Sequence, residues 1–334
     1  MNKRLLDIIV CPSCRSSSFA LYKLAKEATG DGILVCRKCR DWFIIDDGIL
    51  ELVCEDINHE HKINFFQKHN KKLAKLRLKP RGEPKTSAAA DQKKFQMKFF
   101  DDFSSDYILE THSFWRAYYS IFFETYFRKI RRGSIILDFG CGSGLGSVPF
   151  LTKDYTVVGI DLSRRMVEKA MARVPATLRN RHIFLVADAE DLPFRSNVFD
   201  AGIGMGILHH VHSPQKAVNS LTRCLKLHGI YLGHENNKTI FRYFFNLLMR
   251  VFPLWHEEAG EEQLFSARDI ERLYSSYSVA SSTHIFLPPH FFNCFSARAA
   301  KMLILWTDKI SSRMPFLRNK GGTITFEAQK TRQP

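Results

Sequence analysis

Four short apolar runs stand out in the middle of the chain, at residues 134–137, 157–160, 183–186 and 199–204. Runs of this length and composition fit strands buried on both faces of a parallel sheet. Stretches of helical character separate them, and the alternation predicts an α/β fold. Ahead of the first run, residues 99–130 carry aromatic side chains at helical intervals, including Phe103, Tyr107, Phe114, Trp115, Tyr118, Phe122, Phe123 and Tyr126. Packing is the expected role of most of them. Further on, residues 240–255 are strongly apolar with arginines one to two turns apart, and residues 291–306 repeat the character. Such segments suit a membrane surface, the roof of an apolar pocket, or plain core helices.

The first run ends in Asp138, Phe139 and a turn with glycine at positions 140, 142, 144 and 146. Glycines there let a ligand approach the backbone and allow a tight turn onto a helix N-terminus. Asp161 closes the second run, where a carboxylate can accept hydrogen bonds from both hydroxyls of a ribose. The pair suits a nucleotide-like cofactor. A dinucleotide fingerprint would need glycine at position 145, and that residue is Leu145. Asp138 beside the first glycine also favours a cationic ligand over a pyrophosphate, because like charges at close range in a low dielectric are costly.

The string Leu137-Asp138-Phe139-Gly140-Cys141-Gly142-Ser143-Gly144 resembles the first motif of the class I S-adenosylmethionine-dependent methyltransferases of type 11. Residues 183–194, 199–204 and 205–211 continue the resemblance in order, over roughly residues 99–330. It implies a Rossmann-like seven-stranded sheet with helices on both faces, closed by a last strand at 323–328. It also implies that Gly140 and Gly142 seat the amino acid moiety of S-adenosylmethionine and that Asp138 partners its ammonium group. Asp161 would then hold the ribose, Leu162 would lie beside adenine, Asp188 would accept from the adenine amino group and Ala189 would donate a backbone amide to the ring. Residues 205–211, with His209 and His210, resemble the loop beside the transferable methyl group. Residues 225–229 depart from the usual Lys-Pro-Gly-Gly turn into strand five.

The first cysteines form two C-x-x-C pairs, Cys11 with Cys14 and Cys36 with Cys39, separated by twenty-one residues. Four thiolates at this spacing can reach one tetrahedral Zn²⁺. With no open position, such an ion is structural. The residues around them, 5–12 and 42–50, look like the small zinc-ribbon proteins that activate tRNA and protein methyltransferases. The expected organisation is a zinc ribbon at 1–57, a basic and partly helical linker at 58–98, and a methyltransferase domain at 99–334.

At 334 residues and 45% hydrophobic composition the chain can bury a full core. No run of eighteen apolar residues is present, and the start of the chain lacks a cleavage signal, so a cytoplasmic protein is expected, with peripheral membrane contact as one option. Its formal net charge of +15 comes in part from the linker lysines, including Lys62, Lys68, Lys71, Lys72, Lys75, Lys79 and Lys85. These suit nucleic acid or anionic lipid, or serve only to solvate a connector.

Methyl transfer from a sulfonium is an in-line displacement, and a base is needed only when the acceptor must lose a proton. His209, His210, His212, His234 and Glu235 all fall at carboxyl ends of expected strands, where open α/β sheets bind ligands. His210 and then His234 are the candidate catalytic residues. The expected acceptor is a small apolar molecule, lipid-linked or isoprenoid, with an RNA base as the alternative. A fold retained as a binding scaffold is the non-enzymatic option. Oligomeric state is not legible in the sequence.

Overall fold

The computed structural model describes residues 3–24, 30–80, 82, 87–103, 112–178, 181–254 and 263–332. Tyr107 and Lys85, named above, lie outside them, as does residue 255 of the apolar stretch 240–255. Five parallel strands carry the motifs read from the sequence: β5 (Ile135–Phe139), β6 (Thr156–Asp161), β7 (His182–Val186), β8 (Phe199–Met205) and β9 (Leu225–Asn236). The chain adds β10 (Tyr277–His284) and β11 (Thr323–Lys330), with β11 antiparallel to both β9 and β10. Their order is β7-β6-β5-β8-β9-β11-β10. Residues 225–229, expected as a turn, already belong to β9. The irregularity is absorbed by a register shift against β8 between Phe199 and Ala201 and by a left-handed His228 with φ 62°.

The sheet does not stop at seven strands. The ribbon contributes β1 (Phe19–Lys23), β2 (Gly32–Cys36), β3 (Trp42–Asp46) and β4 (Ile49–Glu51), and among the described residues the whole is one eleven-stranded sheet. The join is β4 beside β7, parallel, with Leu50 opposite Leu185 and Glu51 opposite Val186. The physical reason is the exposed edge that β7 would otherwise present, a row of unpaired backbone groups. Leu52 N donates to Val186 O at 2.8 Å, and Val10 N to Pro193 O at 2.8 Å. Leu5, Ile9, Cys11, Cys36 and Phe43 share one buried cluster with Leu137, Leu185 and Phe194. Ribbon and methyltransferase-like sheet therefore have a common core.

The basic connector is largely helical, at Glu55–Lys68, Asn70–Lys75 and Ala88–Phe103, and the last of these runs across the expected boundary at 98/99. Phe65, Leu73 and Leu78 bury against Ile33, Val35, Trp42 and Ile44 of the ribbon. Several linker lysines are thereby paired. Lys62 is buried 3.3 Å from Asp41 and stands over the Trp42 ring, and Lys68 lies 3.0 Å from Asp31. Lys71, Lys75, Arg77 and Lys79 remain exposed.

Candidate cofactor cleft

The strand β5 hands the chain to its glycine turn at the carboxyl edge of the sheet. Gly140 has φ 78°, and a Cβ there would stand 2.6 Å from the Ile207 side chain. Gly144 has φ 80°, and a Cβ would meet the backbone of Ala170 at 2.9 Å. Both positions therefore need glycine, one for backbone conformation beside the cleft and one for close helix packing. The Gly142 amide donates to Asp161 Oδ2 at 2.8 Å, and the Ser163 amide donates to Asp161 Oδ1 at 2.9 Å. Burial pushes the Asp161 carboxyl up to about 6, against the pull of those two amides. Asp138 lies beneath the turn, where it accepts from Ser147 Oγ at 2.5 Å. Burial, aided by the charge of Asp161, pushes it up to about 7.

A cleft of about 910 Å³ opens beside this turn. Gly140, Gly142, Asp161, Leu162, Asp188, Ala189 and His210 all line it; Asp138 and His234 are not among its lining residues. The mixed apolar and polar lining is that of a small-molecule site. The lining fits a nucleoside with a cationic tail: apolar Ile160, Leu162 and Met166 stand beside the carboxylates of Asp161 and Asp188.

Sequence reasoning missed the wall that closes the cleft from the connector side. The helix Ala88–Phe103 brings Gln92, Lys93, Gln96, Met97 and Phe100 into the lining. Lys93 Nζ lies 2.7 Å from Asp188 Oδ2 and 3.0 Å from Glu190 Oε2. Burial alone would lower its pKa, but the two carboxylates outweigh that and hold the ammonium above its ordinary value. One Asp188 oxygen is thus already engaged by Lys93, and the other accepts from the Glu190 amide at 2.9 Å. Asp101, on the same helix, accepts from Ser163 Oγ at 2.5 Å. No motif announces these residues, since Lys93 sits in a stretch that reads only as basic.

The histidines divide by strand geometry. His210 lies in the cleft with its ring edge-on to Phe100, centroids 5.0 Å apart, and burial holds its pKa well below the usual value, so it is neutral at pH 7. Its neighbour His209 has Nδ1 2.7 Å from Glu235 Oε2, while Glu235 Oε1 accepts from the Leu208 amide at 2.7 Å. Side chains alternate along a strand, so His234 and Glu235 leave β9 on opposite faces. His234 packs against Tyr118 and Phe122, at 5.2 and 6.1 Å, and burial pushes it down to about 3. Its Nε2 has no hydrogen-bond partner among the described residues.

At the other end of the chain the four ribbon cysteines converge. All four sulfurs lie within 4.8 Å of one another, with Cys11 to Cys39 and Cys14 to Cys36 each at 3.6 Å. Sulfurs at about 2.3 Å from a tetrahedral zinc would stand roughly 3.8 Å apart. The cage is compatible with zinc.

Residues 137–233 match the family described as a methyltransferase domain, and residues 2–48 the family described as a Trm112p-like protein. The chain carries a methyltransferase domain behind a Trm112p-like domain. A tRNA (carboxymethyluridine(34)-5-O)-methyltransferase of Xenopus tropicalis is 25% identical over 142 residues, 42% of this chain and 20% of that protein. Demethylmenaquinone methyltransferase of Symbiobacterium thermophilum is 34% identical over 125 residues, 36% of this chain and 48% of that protein. The chain therefore spans less than half the length of either relative. Among solved structures, phosphoethanolamine N-methyltransferase 2 of Haemonchus contortus, in complex with S-adenosyl-L-methionine, is 18% identical with a TM-score of 0.47, over 70% of this chain and 60% of that one.

Proposed function

We propose that the chain is an S-adenosylmethionine-dependent methyltransferase acting on an O, N or C centre of an apolar, lipid-linked or isoprenoid acceptor. The observation that carries the reading is the Asp161 carboxylate, held by two backbone amides at the mouth of a glycine turn that opens into the cleft. When bound, S-adenosylmethionine supplies a methyl group on a sulfonium. Asp161 would accept from the ribose hydroxyls, Leu162 and Met166 would offer the apolar wall for adenine, and Lys93 holds Asp188 and Glu190 in place beside them. Asp138, buried under the turn, would add negative charge for the ammonium group in its ionised form. His210, neutral in its aromatic surroundings, accepts a proton from acceptors that must lose one. His209, oriented by Glu235, backs it with ring centroids 4.0 Å apart. His234 enters only as support for the aromatic packing beneath the sheet. A zinc ion held by Cys11, Cys14, Cys36 and Cys39 would be structural, and the units 1–57, 58–98 and 99–334 act as ribbon, connector and transferase.

Calorimetry with S-adenosylmethionine tests the cofactor, with native binding and at least tenfold weaker binding by Asp161→Ala expected. No binding by the native chain ends the enzyme reading. Tritiated methyl donor incubated with cell extract, then fractionated into lipid, RNA, protein and small molecules, tests the acceptor. An RNA base is the second reading. The tRNA methyltransferase relative and the exposed Lys71, Lys75, Arg77 and Lys79 favour it, and label in RNA with salt-sensitive binding would put it first.

A further inference from the structure

Two segments leave the sheet at the edge where the cleft opens. The strand β9 ends at Asn236 and leads into the helix Ile240–Val251. The strand β10 runs parallel to β9, because both are antiparallel to β11, and ends at His284 on the same edge. From there the chain passes through helices Pro289–Asn293 and Ala297–Arg313 and returns into β11. One side of these helices is firmly seated: Phe245, Phe292, Ala300 and Ile304 bury against Phe114 and Tyr118. The two segments also touch each other, with His290 Nε2 2.6 Å from Phe252 O.

Their other side is apolar and uncovered. Ile240 is 75% exposed, Leu247 58%, Met302 68%, Trp306 61% and Phe316 71%. Scattered exposed apolar side chains are ordinary, but a run concentrated on two adjoining segments marks an interaction surface. Among the described residues of the two segments the charges are almost all of one sign; Glu257, Glu258, Glu261 and Glu262, which follow residue 254 in the sequence, lie outside them. Residues 238–254 contain three Lys or Arg and no acid, and residues 289–320 contain six Lys or Arg and one acid, Asp308, which is paired with His284. Arg250, Arg298, Lys309, Arg313, Arg318 and Lys320 are exposed. No helix among the described residues is long and apolar enough to cross a membrane. An apolar strip rimmed by cations and containing an exposed tryptophan is instead the composition of helices that lie in a bilayer interface.

We infer that this face docks the protein on an anionic lipid bilayer, with the sheet edge that holds the cleft turned towards the membrane. Charge decides against a second copy as occupant, since pairing two such faces would bring cation against cation in a chain of net charge +15. The inference stands apart from methyl transfer, because vesicle binding needs neither cofactor nor acceptor and is read without them.

The test is co-sedimentation of the full chain with phosphatidylcholine vesicles, with and without about one third phosphatidylserine, beside analytical ultracentrifugation of the protein alone. A monomer that binds the anionic vesicles at least tenfold better, and releases in high salt, is expected. Arg313→Glu with Arg318→Glu should weaken that binding tenfold or more, and Trp306→Ser with Phe316→Ser should weaken it comparably, both with unchanged thermal melting. A folded native chain that ignores anionic vesicles overturns the inference. So do wild-type binding by both variants and a dimer that the Trp306→Ser substitution dissociates, which would give the face to a second copy. If one double variant does not fold, the native comparison and the other variant still decide.

Discussion

The two ends of the sheet meet the same physical problem in opposite ways. At the β7 end, an open strand edge and the apolar surface beside it are covered in cis by the ribbon, through β4, Leu5, Ile9 and Phe43. At the β10 end, helices cover the sheet but keep an apolar face of their own uncovered, with Ile240, Trp306 and Phe316 in solvent. Backbone edges must be paired to be tolerated, and a strand can be supplied from the same chain. An apolar face that stays open in the folded chain is one reserved for something outside it. The lesson is that the ribbon end belongs to folding and the helical end to contact.

The largest expected effect breaks the folding end. Chelation, or Cys11→Ser with Cys36→Ser, removes an ion whose binding in small zinc domains is worth about 10–16 kcal/mol. Because Cys11 and Cys36 sit in the same buried cluster as Leu137 and Phe194, the loss should spread beyond the ribbon. Calorimetry should register one cooperative transition lowered by well over about 10 °C, with S-adenosylmethionine binding lost too. A methyltransferase domain that keeps its melting temperature and cofactor affinity after zinc removal would return the ribbon to independence.

Next comes the polar clasp between the two parts. Glu51, buried on β4, lies 3.1 Å from Arg164 and 2.9 Å from His61. Burial would raise its pKa, but those cations and Asn58 hold it below the ordinary value. Breaking one side of a buried ion pair costs about 3–5 kcal/mol. Glu51→Ala should lose that much in denaturant unfolding, and, since Arg164 follows Ser163 directly, weaken cofactor binding as well. Stability within about 0.5 kcal/mol of native would mean that the clasp is ornamental.

Asp161→Asn should cost about 2–3 kcal/mol of cofactor affinity, the scale of hydrogen bonds to a charged group, and lower melting of the free protein slightly, because one of the two backbone amides that donate to Asp161 loses its acceptor. The pH dependence of the native protein follows from the Asp161 pKa. A buried carboxyl raised to about 6 favours the protonated form in the fold, so the free protein loses stability from Asp161 as pH climbs from the ordinary carboxylate value through about 6. Cofactor binding wants the ionised form. Affinity should therefore rise about tenfold between pH 5 and pH 7 and then level off, with proton release detectable by calorimetry in two buffers. A flat profile would remove Asp161 from the ribose. The smallest effect tests the contact end: Trp306→Ser and Phe316→Ser, whose side chains stand in solvent, should change stability by less than about 0.5 kcal/mol. A larger loss would make that face part of the core.

What could be read before folding was whatever lies close together in the chain. The glycine turn with Asp161, the two C-x-x-C pairs and the strands ending at Val186 and Met205 are local patterns, each forced by backbone sterics or by the reach of neighbouring side chains. The structure gathers seven of the proposed cleft and cofactor residues into one lining. Lys93 was not legible, because its partner Asp188 is ninety-five residues away and nothing in either neighbourhood reports the other. His210 and His234 looked alike as residues at strand ends, yet His210 lies in the turn after β8 that lines the cleft, while His234, on β9, faces an aromatic layer.

The sequence by itself determined that there is a parallel sheet with a cofactor turn and, ahead of it, a cysteine cage, because these follow from spacing along the chain. Only the tertiary structure decided that both belong to one eleven-stranded sheet, that the connector helix walls the cleft, and that the apolar segments bury one face and expose the other. Those outcomes depend on which edges and faces meet across long separations, and hydrophobic burial is non-directional until backbone pairing selects the partner.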